Sequence, residues 1–248
     1  MRCFVDGGAN VKQQIQTFLA GGVFALVLLG VAVAGPREDG WTAYGRGDYA
    51  TAMTYWRPLA DQGNVLAQLI LGQMYLKGGG GVPQDSAQAL VWYRKAADQG
   101  DAAAQGMLGK MYARGQGVPQ SDADAVTWYR KAAEQGNAMA QANLGFAYVD
   151  GQGVPQDYAQ AALWCRKAAE RGYTAAQNVL GEMSAEGKGV PQDYVTAHMW
   201  FNLSASRATE AEDRDSAAKK RDELAAKMTP AQIAEAQRLA REWKPTTQ

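Results

Sequence analysis

Cysteine and histidine are almost missing from this chain: 248 residues hold two of the first, Cys3 and Cys165, and one of the second, His198. If the N-terminus is removed Cys165 stands alone, so the mature chain can form no intramolecular disulfide and its stability must come from packing. His198 lies in Thr196-Ala197-His198-Met199-Trp200 with no second ligand in sight, which argues against a zinc site or an acid–base histidine. Net charge is absent as well, with 25 Lys and Arg against 25 Asp and Glu. The basic residues are scattered among acids, so the clustered cations that release counterions from a nucleic acid are not there, and no nucleic-acid partner is expected. Neither Gly-x-Ser-x-Gly nor His-Glu-x-x-His occurs, and no carboxylates converge at a fixed helical offset. The expectation is a protein without a catalytic centre, metal or cofactor.

Long hydrophobic runs are also scarce, with one exception near the N-terminus. Phe18 to Val33 is an unbroken stretch of apolar and small residues, preceded by Lys12 and closed by Ala32-Val33-Ala34. That small-x-small ending predicts a signal peptide over residues 1–34, cut before Gly35, and so a periplasmic or secreted protein. At roughly 17 residues the run sits at the lower edge of what crosses a bilayer, which makes an uncleaved anchor the competing reading. No membrane span is expected once the signal is cleaved. No cysteine follows the run to carry a lipid.

What fills the rest is repetition. Trp56, Trp92, Trp128, Trp164 and Trp200 recur at a constant spacing of 36 residues, and Pro83, Pro119, Pro155 and Pro191 share it. One supersecondary unit is therefore copied along the chain. Its first half carries Ala-Gln, Leu-Gly and Tyr, as in Ala104-Gln105, Leu108-Gly109 and Tyr112, which fall at i, i+4 and i+8 on one helical face. Its second half carries a small residue, Trp and Ala at i, i+3 and i+7, as in Ala89, Trp92 and Ala96. Two amphipathic helices per unit follow.

Their ends have physical causes. Gly115, Gly151 and Gly187 stand where a residue without Cβ can turn left-handed and close the first helix, and the Gly-x-Gly loops are read as helix terminators rather than phosphate cradles. Asp85, Ser121, Asp157 and Asp193 then stand where a side-chain oxygen can cap the second helix, and Asp85 with Gln88, or Asp157 with Gln160, form pairs like a capping box. The second helix stops at Gly63, Gly100, Gly136 or Gly172. The first full repeat departs slightly: it is one residue short after Trp56 and carries an extra glycine in Gly78 to Gly81, changes that restore the Trp spacing. The periodic tryptophans are assigned to the core between helices, and Cys165, which follows Trp164 where other repeats have Tyr, to a helix face.

The pattern Ala-Gln-x-x-Leu-Gly-x-x-Tyr, Gly-x-Gly-Val-Pro-Gln-Asp and Ala-x-x-Trp-Tyr-Arg-Lys-Ala-Ala-x-x-Gly resembles the Sel-one-like repeat family, relatives of the tetratricopeptide repeats, over roughly residues 41–206. The resemblance implies an all-α fold: an α/α superhelical solenoid of helix-turn-helix repeats over 35–206, with a C-terminal helical cap over 207–248. The pattern breaks after Ser206 into a charged helix, and Thr229-Pro230 then opens a last helix to Trp243. The resemblance also implies a scaffold or adaptor that binds a protein or peptide, with the first helix of each pair lining a concave groove. An alternative implication is a cell-wall-associated hydrolase or a glycan-binding envelope assembly factor. Relatives linked to β-lactam-type compounds carry paired cysteines in each repeat, and those are absent here.

Transferring the tetratricopeptide pattern position by position assigns the groove. It places Leu66, Leu69, Gln73 and Leu76 there, then Ala103, Gly106, Lys110 and Ala113, then Met139, Ala142, Phe146 and Val149, then Ala175, Asn178, Glu182 and Ala185. Of these, Leu66, Leu69, Gln73, Leu76, Lys110, Met139, Phe146, Val149 and Glu182 are the expected partner-binding side chains. Apolar groups that the repeat's own packing does not require would be buried by a helix or peptide laid into the groove. The competing reading is that they touch adjacent repeats or the folded-back C-terminal helices.

Overall fold

The structure, a computed structural model, describes residues 36–246, with side chains from Asp39 onward. The expected signal segment, 1–34, lies outside the described residues. The helices form consecutive pairs: α1 (Pro36–Gly45) and α2 (Tyr49–Asp61), α3 (Val65–Lys77) and α4 (Ser86–Asp98), α5 (Ala102–Arg114) and α6 (Asp122–Glu134), α7 (Ala138–Asp150) and α8 (Tyr158–Glu170), α9 (Thr174–Glu186) and α10 (Tyr194–Arg207). Two further helices follow, α11 (Ala211–Ala225) and α12 (Pro230–Glu242). From α1 to α11 each helix packs on the next, as in a helical solenoid, and α12 packs back on α10. First helices also approach first helices, α5 to α7, α7 to α9 and α9 to α11, whereas among the described residues no two second helices pack as closely. The array therefore bends toward its first helices, and their outward faces form the inner surface.

The caps follow the sequence. Asp85, Ser121, Asp157 and Asp193 each accept backbone N–H bonds at the start of α4, α6, α8 and α10. Asn64, Asp101 and Asn137 do the same for α3, α5 and α7. At the Asp85 and Asp157 pairs the recorded bonds run from the Gln88 and Gln160 backbone N–H to the aspartate; the reciprocal capping box forms between Thr229 and Gln232 at α12. The first glycine of each Gly-x-Gly loop is left-handed, Gly115 at φ 65°, as termination requires. The second has a further task. A Cβ on Gly117 would stand 2.3 Å from the carbonyl oxygen of Ser86, and one on Gly153 2.2 Å from that of Asp122. The loop of each repeat is pressed onto the start of the preceding second helix, and only glycine permits the approach.

The Leu-Gly pair has a matching cause. A Cβ on Gly109 would lie 2.4 Å from the Tyr129 ring, and one on Gly145 would lie 2.5 Å from Cys165 Sγ. The second helix drives a side chain into the gap that glycine leaves in the first. Trp56, Trp92, Trp128 and Trp200 are buried as expected. Trp164 differs: it is half-buried, packed against the cluster of Tyr129, Ala133 and Leu144, with the Lys167 ammonium 4.2 Å from its ring centre.

The last two helices clasp α10. Helix α11 takes the place that a further first helix would have, with Leu224 and Met228 packed beside Phe201 and Ala197. Helix α12 also packs on α10, where Trp243 meets Trp200 edge-on at 6.3 Å and Arg207 covers the Trp243 ring at 4.4 Å. Beyond it, the Thr246 N–H donates to the Glu170 carbonyl at 2.8 Å, which satisfies one of the open acceptors at the end of α8.

Candidate protein-binding groove

The inner surface is built from the side chains of α3, α5, α7 and α9 that turn away from their partner helices. Leu66, in the first turn of α3, is 37 % exposed. Gln73, Lys110 and Met139 are half-buried along the same surface, and the Met139 methyl reaches to 3.0 Å from where a Gly106 side chain would begin. The other expected groove residues pack against neighbouring repeats. Leu69 and Leu76 lie against a cluster that joins Tyr93 of their own pair to Leu108 and Met111 of the next. Phe146 packs on the cluster of Cys165, Leu180 and Trp200, and Val149 on Ala161, Ala162 and Met183. Glu182 is ion-paired with Lys220 of α11, and Ala185 is packed by the same cap. Ala113, Gly106 and Ala142 are buried.

Sequence reasoning missed a hollow in this surface. A cavity of about 40 Å³ lies between α5, α6 and α7, with Asp122, Tyr129, Asn143, Phe146 and Asp150 among its walls. The Tyr129 hydroxyl is buried without a hydrogen-bond partner, and burial holds its pKa well above the usual phenol value. No motif announces such a hollow, because it arises from residues of three helices. On the outer face, Val91 and Leu163 are 46 % and 45 % exposed. Both immediately precede a periodic Trp, a register that could have marked them.

The two residues with potential chemistry are shut away. Burial pushes the Cys165 thiol up to about 12, so it is a packing group and not a thiolate nucleophile. His198 is buried too; desolvation, with Arg221 nearby, pulls its pKa down and keeps the ring neutral. Among the described residues no three His, Cys, Asp or Glu side chains converge as a metal site would need. No described helix is long and apolar enough to cross a membrane.

This geometry can be set beside known proteins. The Sel1 repeat pattern matches residues 28–64, 65–101, 102–137, 138–173 and 174–208. The chain belongs to the Sel1 repeat family. Repeats of this family generally serve as protein-interaction scaffolds and are generally not enzymes. Among solved structures the chain is similar to c5321, a protective antigen present in uropathogenic Escherichia coli strains and displaying an SLR fold. That similarity has 38 % identity and a TM-score of 0.74, and covers 82 % of this chain and 44 % of c5321. It is similar also to a Sel1 repeat protein from Oxalobacter formigenes, with 33 % identity and a TM-score of 0.64, over 77 % of this chain and 85 % of that one. The chain thus spans less than half the length of c5321. No curated protein matches it.

Proposed function

We propose that this Sel1 repeat array is an interaction module of the cell envelope, exported by the segment 1–34, which takes a protein or peptide against the surface of its first helices. The observation that carries the reading is the apolar character of that surface: Leu66 is exposed, and Leu69, Leu76, Met139, Phe146 and Val149 keep half-buried flanks there. Packing between repeats fixes these side chains in advance, so little ordering entropy is lost on binding. Export rests on the apolar run and its Ala32-Val33-Ala34 ending.

Leu69 and Phe146 cover seams between repeats, so altering them would confuse binding with folding. Leu66→Glu combined with Met139→Glu is the better probe. The test is a pull-down from an envelope extract with the chain and this double variant, matched by circular dichroism. The proposal expects a partner held by the parent and released by the variant. A partner retained equally by both would place binding on another surface and refute the groove.

A further inference from the structure

Each repeat buries one glutamine near the start of its first helix: Gln68, Gln105, Gln141 and Gln177. Their side-chain amides donate to the carbonyls of Ala60, Ala97, Ala133 and Ala169 in the preceding second helix, at 3.1, 3.3, 3.0 and 3.1 Å. That leaves an oxygen, Oε1, as a buried acceptor in each repeat. At the first two seams the end of the repeat's own second helix supplies a donor. Gln99 Nε2 donates to Gln68 Oε1 and Gln135 Nε2 to Gln105 Oε1, both at 2.8 Å.

The third seam is different. The residue in the place of Gln99 and Gln135 is Arg171, whose guanidinium donates to the Gly136 carbonyl instead. Gln141 Oε1 is left buried without a partner, a costly state for a polar atom. A cleft of about 350 Å³ opens there, walled by Glu134, Gln141, Lys167, Glu170, Arg171 and Thr246 among others. That volume lies within the range of small-molecule sites. The cleft runs along the edge where the second helices end, away from the inner surface, and it does not depend on the groove reading.

We infer that this cleft binds a small zwitterion of the free amino-acid type. The acceptor that a carboxamide N–H occupies at the first two seams needs an N–H donor here, and an ammonium group meets it while Glu134 and Glu170 favour its charge. The carboxylate of the same ligand meets Arg171 and Lys167. A guanidinium has five donors and the Gly136 carbonyl takes one, so an edge remains for a carboxylate. A ligand carrying both charges adds no net charge to a cleft already lined by two acids and two bases.

L-Alanine, N-acetyl-L-alanine and L-alaninamide serve as probes, titrated into the ¹⁵N-labelled chain while the amide and side-chain signals of Gln141, Arg171 and Thr246 are followed by NMR. Saturable shifts are expected with L-alanine, and at least ~10-fold weaker binding for each blocked analogue. Arg171→Gln restores the donor found at the first two seams; it should keep the fold, raise the melting temperature and abolish the L-alanine shifts. Arg171→Ala should abolish them without the gain in stability. Equal shifts for all three probes, no saturable shift with any, or undiminished binding by Arg171→Gln would each overturn the inference.

Discussion

The front and back halves of the array share one frame yet close their seams differently. At the front, Gln68 and Gln105 each donate to the preceding repeat, at Ala60 and Ala97, and accept from Gln99 or Gln135 at the end of their own repeat's second helix. At the back, Arg171 turns to Gly136 and Arg207 lies over Trp243, and the Oε1 atoms of Gln141 and Gln177 are without partners. The change coincides with the folded-back C-terminus, since Trp243 and Thr246 dock on α10 and the end of α8. In a repeat protein the recurring residues are explained by the frame, so a departure from register shows where a copy has been adapted.

The largest effect should come from tryptophan. Trp92 is 1 % exposed in the closed half. Trp92→Ala should cost about 3–5 kcal/mol in urea unfolding, and the half-buried Trp164 of the open half roughly half as much. Equal losses would mean that the two halves are packed alike. Phe146→Ala should cost about 2 kcal/mol, because the ring fills a seam, whereas Gln73→Ala at the corresponding place near the front should change stability by less than ~0.5 kcal/mol. If both were neutral, Phe146 would be a groove residue with no part in packing.

Most of the fold was legible because periodicity reports it directly. The Trp register located the second helices, the Asp85, Ser121, Asp157 and Asp193 caps their starts, and Thr229-Pro230 the start of α12. Trp164 escaped the rule, because the register shows which side of a helix a residue occupies and not how completely its neighbours close over it. The groove was legible only in part. Spacing identifies the inner face, but Leu69, Leu76, Phe146 and Val149 also touch the next repeat, and Glu182 meets Lys220 of a cap whose docking no motif describes. The Ala-Gln pair was visible in every copy, yet its role as a seam appears only once the partner near the end of the next second helix is known.

A smaller effect separates the two halves by pH. His198, buried on α10 in the back half, has a pKa below the ordinary 6.5 because of desolvation, with Arg221 adding to it. The unfolded chain therefore takes up a proton at this residue before the folded chain does, and stability should fall as pH drops below about 6.5. The loss should continue until the lower, folded-state pKa is passed. His198→Asn should flatten melting temperature between about pH 7 and 5, the window above the carboxylate titrations. An unchanged slope would show that His198 is as solvated in the fold as in the unfolded chain.

The most direct measurement is a pair of double-mutant cycles, Gln105→Leu with Gln135→Ala and Gln141→Leu with Arg171→Ala, read by urea unfolding. The account predicts a coupling of about 1 kcal/mol at the first seam and one within ~0.3 kcal/mol of zero at the second. Comparable couplings at the two seams would contradict it, since Arg171 would then be doing for Gln141 what Gln135 does for Gln105.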